Sequence, residues 1–598
     1  MATQSSQDQF PAFFALTGIA RAIAACGTLA IAACSSSDSN NIAAQTIAPA
    51  ISCSALAAQL TLSNTRITSV ELDSGGQVDS MFPNAGPKPE SCVIKGTIGA
   101  YTSAYTNPDT GSNLYGTDFE LRLPTRWNGR FFYQGGGGAD GFVQEADGPI
   151  PGQQGGFSGS PQTPALWRGY AVVSSDGGHY SGNTQAAAMM SGFGVDPIAR
   201  VNYGYASIGQ VTPIAKQIIA QYYARKPVHS YFLGCSKGGQ EAMQASQKYG
   251  DQFDGIVAGD PGFRLPHAAL AEAWETQVLA DVVRTDSPSS IDAQGHPLLF
   301  KAFSSTDLNI LRQGVLGACD ALDGLEDGLV FNSAACASKF DPATLQCSGS
   351  KNDSCLSAAQ VIAVRKIFDG AKSASGNNLY ASFPYDTDMD GFMGWTAWYL
   401  GFSSTENSAW NLTLGGTASA YIFTTPPDPA LDMFTVTMDD FASRIIATAG
   451  AYSVASVDFM EATSTNLDAL RKNGGKLIIF HGASDPVFSM NDTIDYYNQL
   501  SKSYGKNTAD FARLFLVPGM NHCGGGAYTT DYFATLDALV DWVEHDKAPD
   551  TLSAQPGDPA SSSLPAGTTR PLCAYPKYAH YKGSGDANNA NSYTCENP

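Results

Sequence analysis

The stretch Gly234-Cys235-Ser236-Lys237-Gly238-Gly239 lies between an apolar run at 231–233 and a helix-like run at 240–249. It contains Gly-x-Ser-x-Gly, the pattern of a nucleophile elbow, in which a strand turns sharply into a helix and exposes a serine hydroxyl. Glycines permit this bend because they lack a Cβ atom. A chain of 598 residues with 61 glycines will match so short a pattern by chance, so the motif needs support from elsewhere in the sequence.

Two later segments supply that support. Asp485 follows an apolar run at 476–480, and His522 follows another at 514–517. The order Ser236, Asp485, His522, with each residue beyond the C-terminal end of a strand, is the order of the α/β-hydrolase fold. In this arrangement His522 takes the proton of Ser236, while Asp485 fixes the imidazole tautomer and stabilises its positive charge. The sequence therefore predicts that these three residues are catalytic.

Three alternatives to this prediction remain. Cys235 could act as a thiol nucleophile, but the exposed position of an elbow lies between the two glycines, and Ser236 occupies it. A binding protein with a degenerate hydrolase fold is disfavoured because no member of the triad is missing. A peptidase or lipase would use the same triad, but the cysteines beside the serine and histidine motifs disfavour both of these classes.

Composition limits the class of protein. Hydrophobic residues make up 43% of the chain, which supports a well-packed globular fold, and the formal net charge is −21. So acidic a chain offers no basic face to offset phosphate repulsion, so we expect no nucleic-acid partner. We expect a monomer that binds a small-molecule substrate and uses no organic cofactor.

The order of predicted elements indicates one α/β core with a large insertion. Strand candidates at 130–133, 171–174, 230–233 and 255–258, with a helix at 206–224, predict βαβ units and a mostly parallel sheet. The pattern resumes at 476 and ends near 546 with a helix at 532–544. Ser236 and Asp485 are too far apart for one crossover. The predicted organisation is a first core part at 51–262, a lid insertion at 263–465, and a second core part with the tail at 466–598.

The N-terminus carries an export signal. Residues 22–34 form a small-apolar run, which is too short for the ~20 residues that span a bilayer. The run ends in Ile31-Ala32-Ala33-Cys34, which resembles a bacterial lipobox with Cys34 as the lipidated residue. We therefore expect an export signal at 1–34, a polar tether at 35–50, and a periplasmic or outer-membrane lipoprotein of a bacterium. A cleaved signal without lipid and a buried helix are the alternatives.

Ten cysteines remain when Cys26 and Cys34 are assigned to the signal. An even number in an exported chain is typical of a disulfide framework, and none has the paired spacing of a zinc site. Pairing of neighbours gives Cys319–Cys336, Cys347–Cys355 and Cys573–Cys595, and leaves Cys53, Cys92, Cys235 and Cys523. Cys53–Cys92 and Cys235–Cys523 are then the remaining pairs. Ten cysteines allow many connectivities, and the sequence alone does not choose among them.

The motifs around the predicted triad resemble those of the tannase and feruloyl esterase family. Gly-Cys-Ser-x-Gly-Gly and the Cys523 that directly follows His522 carry the resemblance, with further matching stretches at 127–132, 193–197, 255–266, 516–523 and 581–586. The likeness runs from about residue 50 to the C-terminus. It is strongest to members that cleave a hydroxyethyl ester of terephthalate. It implies an α/β-hydrolase core with a large lid, ester hydrolysis, and a Cys235–Cys523 bridge beside the triad.

Negative charge that develops on the substrate oxygen needs preorganised hydrogen-bond donors. One is the backbone N–H of Lys237, next after the nucleophile. A glycine loop at 135–138 follows the predicted strand at 130–133, and a loop without Cβ atoms can bring another N–H close to the substrate. The resemblance assigns this donor to Gly138, with Gly137 as its neighbour at the substrate. A flexible linker is the alternative for the four glycines.

The segment 320–329 spaces carboxylates around glycine turns. Hard cations such as Ca²⁺ prefer several carboxylate and carbonyl oxygens, although the spacing is not that of an EF-hand and a solvated acidic turn is the alternative. The resemblance implies a structural Ca²⁺ between disulfide-linked cysteines. Its ligands would be the side chains of Asp320, Asp323 and Asp327 and the carbonyls of Leu325 and Leu329.

Substrate contacts are predicted from the resemblance. It places Trp398 on the aromatic ring of the substrate and Phe488 beside the acid loop, with core packing as the alternative for each. Terephthalate-monoester enzymes pair a lid arginine with the free carboxylate, yet no Lys or Arg occurs at 373–443, and the corresponding place reads Ala409-Trp410-Asn411. We therefore expect weak turnover of the monoester and better use of neutral phenolic esters such as ferulates or gallates. Arg264 could substitute for the missing arginine.

Overall fold

A nine-stranded mixed sheet organises the molecule. The computed structural model describes residues 46–153 and 162–598. The sheet order is β1-β2-β3-β5-β4-β6-β7-β8-β9. Its strands are β1 Thr65–Asp73, β2 Ser91–Thr102, β3 Leu114–Pro124, β4 Arg130–Gln134, β5 Ala171–Ser175, β6 His229–Cys235, β7 Gly255–Gly259, β8 Lys476–Gly482 and β9 Ala512–Val517. Strands β1, β2, β3 and β5 pair antiparallel, whereas β5, β4 and β6 to β9 pair parallel.

Helices cover both faces of the parallel part. In chain order, the α-helices of the described residues are α1 Cys53–Gln59, α2 Pro197–Val201, α3 Ser207–Tyr223, α4 Lys237–Lys248, α5 Leu265–Asp286, α6 Ser305–Cys319, α7 Ser333–Cys336, α8 Ala358–Phe368, α9 Met438–Ile445, α10 Ser456–Met460, α11 Asp468–Lys472, α12 Met490–Tyr504 and α13 Thr535–His545. Helices α3, α4 and α12 bury apolar side chains such as Ile218, Met243 and Leu500 in one core. Helix α13 buries Leu539 and Trp542 in another. The central strands are buried on both faces, which explains their uninterrupted apolar sequences.

The α/β-hydrolase fold predicted from the sequence is confirmed, with three local differences. Strands β1 to β3 form an antiparallel extension that the sequence reading did not resolve. Helix α4 begins at Lys237 rather than 240, directly after the turn at Ser236. The predicted helix at 532–544 begins only at Thr535, because Tyr532–Phe533 form a short strand, β10.

The C-terminal region is built from short strands. Strand β10 belongs to a three-stranded sheet with β11 Thr551–Gln555 and β12 Arg570–Cys573. Strands β13 Tyr578–Tyr581 and β14 Tyr593–Glu596 form a hairpin that the Cys573–Cys595 disulfide joins to β12.

Between β7 and β8 the chain leaves the central sheet for helices α5 to α11 and several shorter helical segments, among them Phe392–Leu400, Asn411–Gly416 and Ser419–Phe423. This excursion has a hydrophobic core of its own, which includes Leu279, Leu311 and Trp395. Residues 46–598 nevertheless pack as one unit, and the lid boundaries at 263 and 465 stay a prediction.

Ten cysteines of the described residues form five disulfides, which are the three pairs that neighbour pairing gives and the two pairs that then remain. They are Cys53–Cys92, Cys235–Cys523, Cys319–Cys336, Cys347–Cys355 and Cys573–Cys595. The predicted export signal at 1–34, with Cys34, and all but the last five residues of the tether lie outside the described residues. Within 46–153 and 162–598, every helix is too short or too polar to cross a bilayer.

Candidate active site

Ser236 lies on a sharp turn between β6 and α4. Its backbone has φ 63° and ψ −123°, a conformation that side chains with a Cβ atom rarely adopt. The flanking glycines allow the turn by close packing: a Cβ on Gly234 would lie 2.3 Å from the carbonyl oxygen of Gly238. The turn is thus a nucleophile elbow in geometry as well as in sequence.

The three predicted catalytic residues meet beyond the C-terminal ends of β6, β8 and β9. The Oγ atom of Ser236 lies 2.7 Å from Nε2 of His522. The Nδ1 atom of His522 lies 2.8 Å from Oδ2 of Asp485. An ionised carboxylate can only accept, so Nδ1–H donates to Asp485, which leaves Nε2 free to accept the serine proton.

The surroundings of Asp485 keep it ionised. Burial alone would raise its pKa, but the His522 charge and hydrogen bonds from His481 and His522 hold the pKa well below its usual range. Its Oδ1 atom accepts the backbone N–H groups of Val487 at 2.9 Å and Phe488 at 3.1 Å. The carboxylate is therefore fixed in both orientation and charge before substrate binds.

A second histidine lies behind this carboxylate. The Nε2 atom of His481 is 3.5 Å from Oδ2 of Asp485 and 3.8 Å from Oδ1 of Asp260. Burial and the negative charge of Asp485 raise the pKa of Asp260 to about 7, against the opposing effect of His481. Neither His481 nor Asp260 was predicted as a site residue from the sequence. The position of His481 four residues before Asp485 was the one feature of the sequence that could have indicated a contact between them.

Three backbone N–H groups near Ser236 have no acceptor within the described residues. They belong to Lys237, Gly137 and Gly138, and the last two lie in the glycine loop after β4. Both glycines and Ser236 line the same cavity. Free donors beside a nucleophile are the geometry that an oxyanion hole requires.

The cavity above Ser236 has a volume of about 620 Å³. Trp398, Trp410, Leu414 and the glycine loop at 135–138 all line it. The ring centroid of Trp398 lies 5.2 Å from that of His522 in an edge-to-face arrangement. No Asp, Glu, Lys or Arg side chain lines the cavity in the described part of the chain. It therefore suits a neutral, partly aromatic ligand.

Two predicted substrate contacts are not found at this cavity. Phe488 is buried and does not line it, because its ring packs edge to face against His522 at 5.2 Å. Arg264 does not line it either, because its guanidinium donates to Asp492 at 2.7 Å. Core packing, the alternative for Phe488, is what the structure shows.

The acidic loop at 320–329 folds its carboxylates inward. Asp323 accepts the N–H groups of Leu325 and Phe331, and Asp320 accepts those of Asp327 and Gly328. Within the described residues, only Asp327 has a cationic partner, Arg570.

Burial and the neighbouring carboxylates raise the pKa of Asp323 to about 8 and that of Asp320 to about 6, against their backbone hydrogen bonds. A hard cation would remove this repulsion, so the donor set fits Ca²⁺. Asp320 directly follows Cys319, and the Cys319–Cys336 disulfide closes the segment that holds the loop.

The fold and the site define the class of this protein as an α/β-hydrolase that acts on carboxylic esters. A sequence model described as tannase and feruloyl esterase matches residues 110–596. The chain belongs to the tannase and feruloyl esterase family.

Individual relatives support the assignment. The chain is 43% identical over 542 residues to a mono(2-hydroxyethyl) terephthalate hydrolase from Piscinibacter sakaiensis, covering 86% of each protein. It is 31% identical to a probable feruloyl esterase from Arthroderma benhamiae, covering 79% of this chain and 81% of that protein. Among solved structures, feruloyl esterase B from Aspergillus oryzae has the same fold, with a TM-score of 0.69, 23% identity, and coverage of 91% of this chain and 99% of that one.

Proposed function

We propose that the protein hydrolyses esters of aromatic acids through an acyl-enzyme on Ser236. The observation that carries the proposal is the continuous hydrogen-bond chain from Ser236 through His522 to Asp485, with distances of 2.7 Å and 2.8 Å. His522 takes the serine proton as Oγ attacks the ester carbonyl, and gives it to the departing alcohol oxygen. Water then attacks the acyl-enzyme, with His522 again as base, and releases the acid.

The oxyanion of each tetrahedral intermediate would be bound by backbone amides. The N–H of Lys237 and that of Gly138 are the proposed donors, with Gly137 beside them at the substrate. The proposal is supported by the fact that these N–H groups have no hydrogen-bond acceptor among the described residues. Donors already in place need no reorganisation as the charge develops, which is worth about 10²–10³ in kcat for each donor.

For the substrate, we propose neutral phenolic esters of the feruloyl or galloyl type. The cavity contains tryptophan rings for an aromatic acid, and among the described residues it has no Lys or Arg side chain for a second carboxylate. Asn411 is buried and donates to Glu275 at 2.8 Å instead of facing the cavity. A carboxylate buried here would lose hydration without gaining a partner, which is costly. Trp398 is the proposed stacking partner of the ring.

Hydrolysis of mono(2-hydroxyethyl) terephthalate to terephthalate and ethylene glycol is the second candidate. The observation in its favour is the 43% identity to the Piscinibacter sakaiensis enzyme, which is named for that substrate.

A matched pair of substrates separates the two candidates. The terephthalate monoester and its neutral methyl diester have the same ring and the same hydroxyethyl ester but differ in charge. We expect kcat/KM to be higher for the neutral diester and for methyl ferulate than for the monoester. A strong preference for the monoester would establish the second candidate instead. Ser236→Ala, assayed in parallel, shows whether either hydrolysis belongs to this site.

We further propose a structural Ca²⁺ in the loop at 320–329, held by Asp320, Asp323 and Asp327 and the carbonyls of Leu325 and Leu329. The inward carboxylates support it.

We also propose export and a lipid anchor at Cys34. The five disulfides support export, because such bonds persist in oxidising compartments. Mass spectrometry of the mature N-terminus in the native host would test the anchor.

A further inference from the structure

A buried ion pair lies directly beneath the glycine loop at 135–138. The N–H of Gly136 donates to Oε2 of Glu241 at 2.9 Å. The other carboxylate oxygen, Oε1, accepts from Nζ of Lys237 at 2.8 Å. The side chains of Lys237 and Glu241 are only 2% and 4% exposed. Glu241 therefore joins the second turn of α4 to the loop that carries the proposed oxyanion donors.

Tyr203 fixes the other end of the same loop. Its hydroxyl donates to the carbonyl oxygen of Gly138 at 2.9 Å. Its ring faces the ammonium group of Lys237, with Nζ 4.3 Å from the ring centroid. The loop and the helix after the nucleophile are thus connected through one buried network of three side chains.

A further carboxyl group, that of Asp140, faces Glu241 from the end of the loop. Burial and the neighbouring Glu241 raise the pKa of Asp140 well above its usual range, despite the charge of Lys237. Lys237 is thus the one positive charge beside two neighbouring carboxyl groups, and it pairs directly with Glu241.

Four consecutive glycines have unusual backbone freedom, so a loop of this kind is not rigid by itself. With the N–H of Gly136 and the carbonyl of Gly138 both bound, the peptide groups between them cannot rotate freely. The N–H groups of Gly137 and Gly138 are the ones left without an acceptor in the described residues.

We propose that Glu241 and Tyr203 are positioning residues of the oxyanion hole, with the Lys237 side chain as the counter-charge that allows a carboxylate to be buried there. The inference rests on the proposed function. It assigns the rigidity of the glycine loop to three side chains that do not touch the substrate.

Tyr203→Phe tests the proposal, because it removes one hydroxyl and keeps the ring over Lys237. The matched control is Tyr223→Phe, whose hydroxyl donates to the carbonyl of Pro124 at 2.6 Å, away from the cavity. Each variant removes one hydroxyl donor from a backbone carbonyl, and Tyr223→Phe, whose carbonyl partner is the more buried, should lose at least as much thermal stability as Tyr203→Phe. We expect kcat for a neutral ester to fall about tenfold or more in Tyr203→Phe only, with KM within about twofold of wild type.

A phosphonate that mimics the tetrahedral intermediate supplies a second measurement. Its rate of inactivation should fall in Tyr203→Phe by the same factor as kcat, whereas the affinity for the product acid should not change. Glu241→Gln should show the same pattern if it folds. If Tyr203→Phe keeps kcat and the inactivation rate within twofold of Tyr223→Phe, the proposal is overturned. If the wild-type protein hydrolyses no ester at all, the proposed function fails instead.

Discussion

Cys235 and Cys523 form a disulfide whose two halves adjoin the reacting residues, since Cys235 precedes Ser236 and Cys523 follows His522. The bond joins positions 288 residues apart in the chain. It therefore ties the elbow after β6 to the loop after β9, and limits how far the serine hydroxyl and the imidazole can separate.

Removal of this disulfide should lower both activity and stability. In the chain-entropy account, a closed loop of this length stabilises the fold by roughly 6 kcal/mol, against roughly 2.5 kcal/mol for the loop between Cys347 and Cys355. The double Cys→Ser variant at 235 and 523 should also lose about 10- to 100-fold in kcat, because small displacements of reacting groups are costly. The Cys347/Cys355 double variant is the control and should keep kcat. Equal kcat values in both variants would show that the bond does not position the triad.

Asp485→Asn should lower kcat by about 10⁴ while KM stays within a few-fold. The amide would donate towards Nδ1 of His522, so the proton would move to Nε2, which could no longer accept from Ser236. Steady-state kinetics of the folded variant, with circular dichroism to check the fold, provide the measurement. A loss of less than tenfold would mean that Asp485 does not set the tautomer.

Chelation should destabilise the protein before it affects catalysis. A cation at 100 times its Kd stabilises the folded state by about 2.7 kcal/mol, so EDTA should lower the melting midpoint by a few degrees and added Ca²⁺ should restore it. Well below the midpoint, kcat should not change. Asp323→Asn should abolish the effect of EDTA, whereas Asp353→Asn, at an exposed position outside the loop at 320–329, should not. Identical melting curves with and without EDTA would remove the proposed site.

A buried glutamate makes stability fall as the pH rises. Burial raises the pKa of Glu272 in the folded protein from 4.5 to about 8. Between these values the folded state holds a proton that the unfolded state has lost, so the free energy of unfolding decreases by at most about 1.4 kcal/mol per pH unit from this group. Glu272→Gln should flatten this decline between pH 5 and pH 8, as measured by urea unfolding. Glu406→Gln, at an exposed position, should leave it unchanged, and an unchanged slope in Glu272→Gln would contradict the expectation.

Much of the core was predictable because its signals are local. The apolar runs that predict β4, β5, β6 and β7 lie within one or two residues of the observed strands. Strands β1 to β3 were not resolved, because β1 and β2 face solvent in part and polar residues interrupt the apolar ones in all three. The short strand Tyr532–Phe533 was read as helix because its pairing partner, Ala554 in β11, is distant in sequence.

The site residues also divide into those that the sequence predicts and those that it does not. Ser236, Asp485 and His522 follow from motif and order, and the structure brings them together. Glu241 and Tyr203 could not be predicted from motif and order, because their role depends on which backbone groups of a loop distant in sequence they contact. A glutamate four residues after Lys237 on a helix indicates only an ordinary surface pair, and burial is what distinguishes this one.

The most direct test of the account is covalent labelling of the nucleophile. A fluorescent phosphonate should attach once per chain, and peptide mapping should place it on Ser236. Ser236→Ala should not be labelled and should lose about 10⁶ in kcat for a neutral aromatic ester. Labelling at another residue, or ester hydrolysis that survives in Ser236→Ala at close to the wild-type rate, would contradict the central claim.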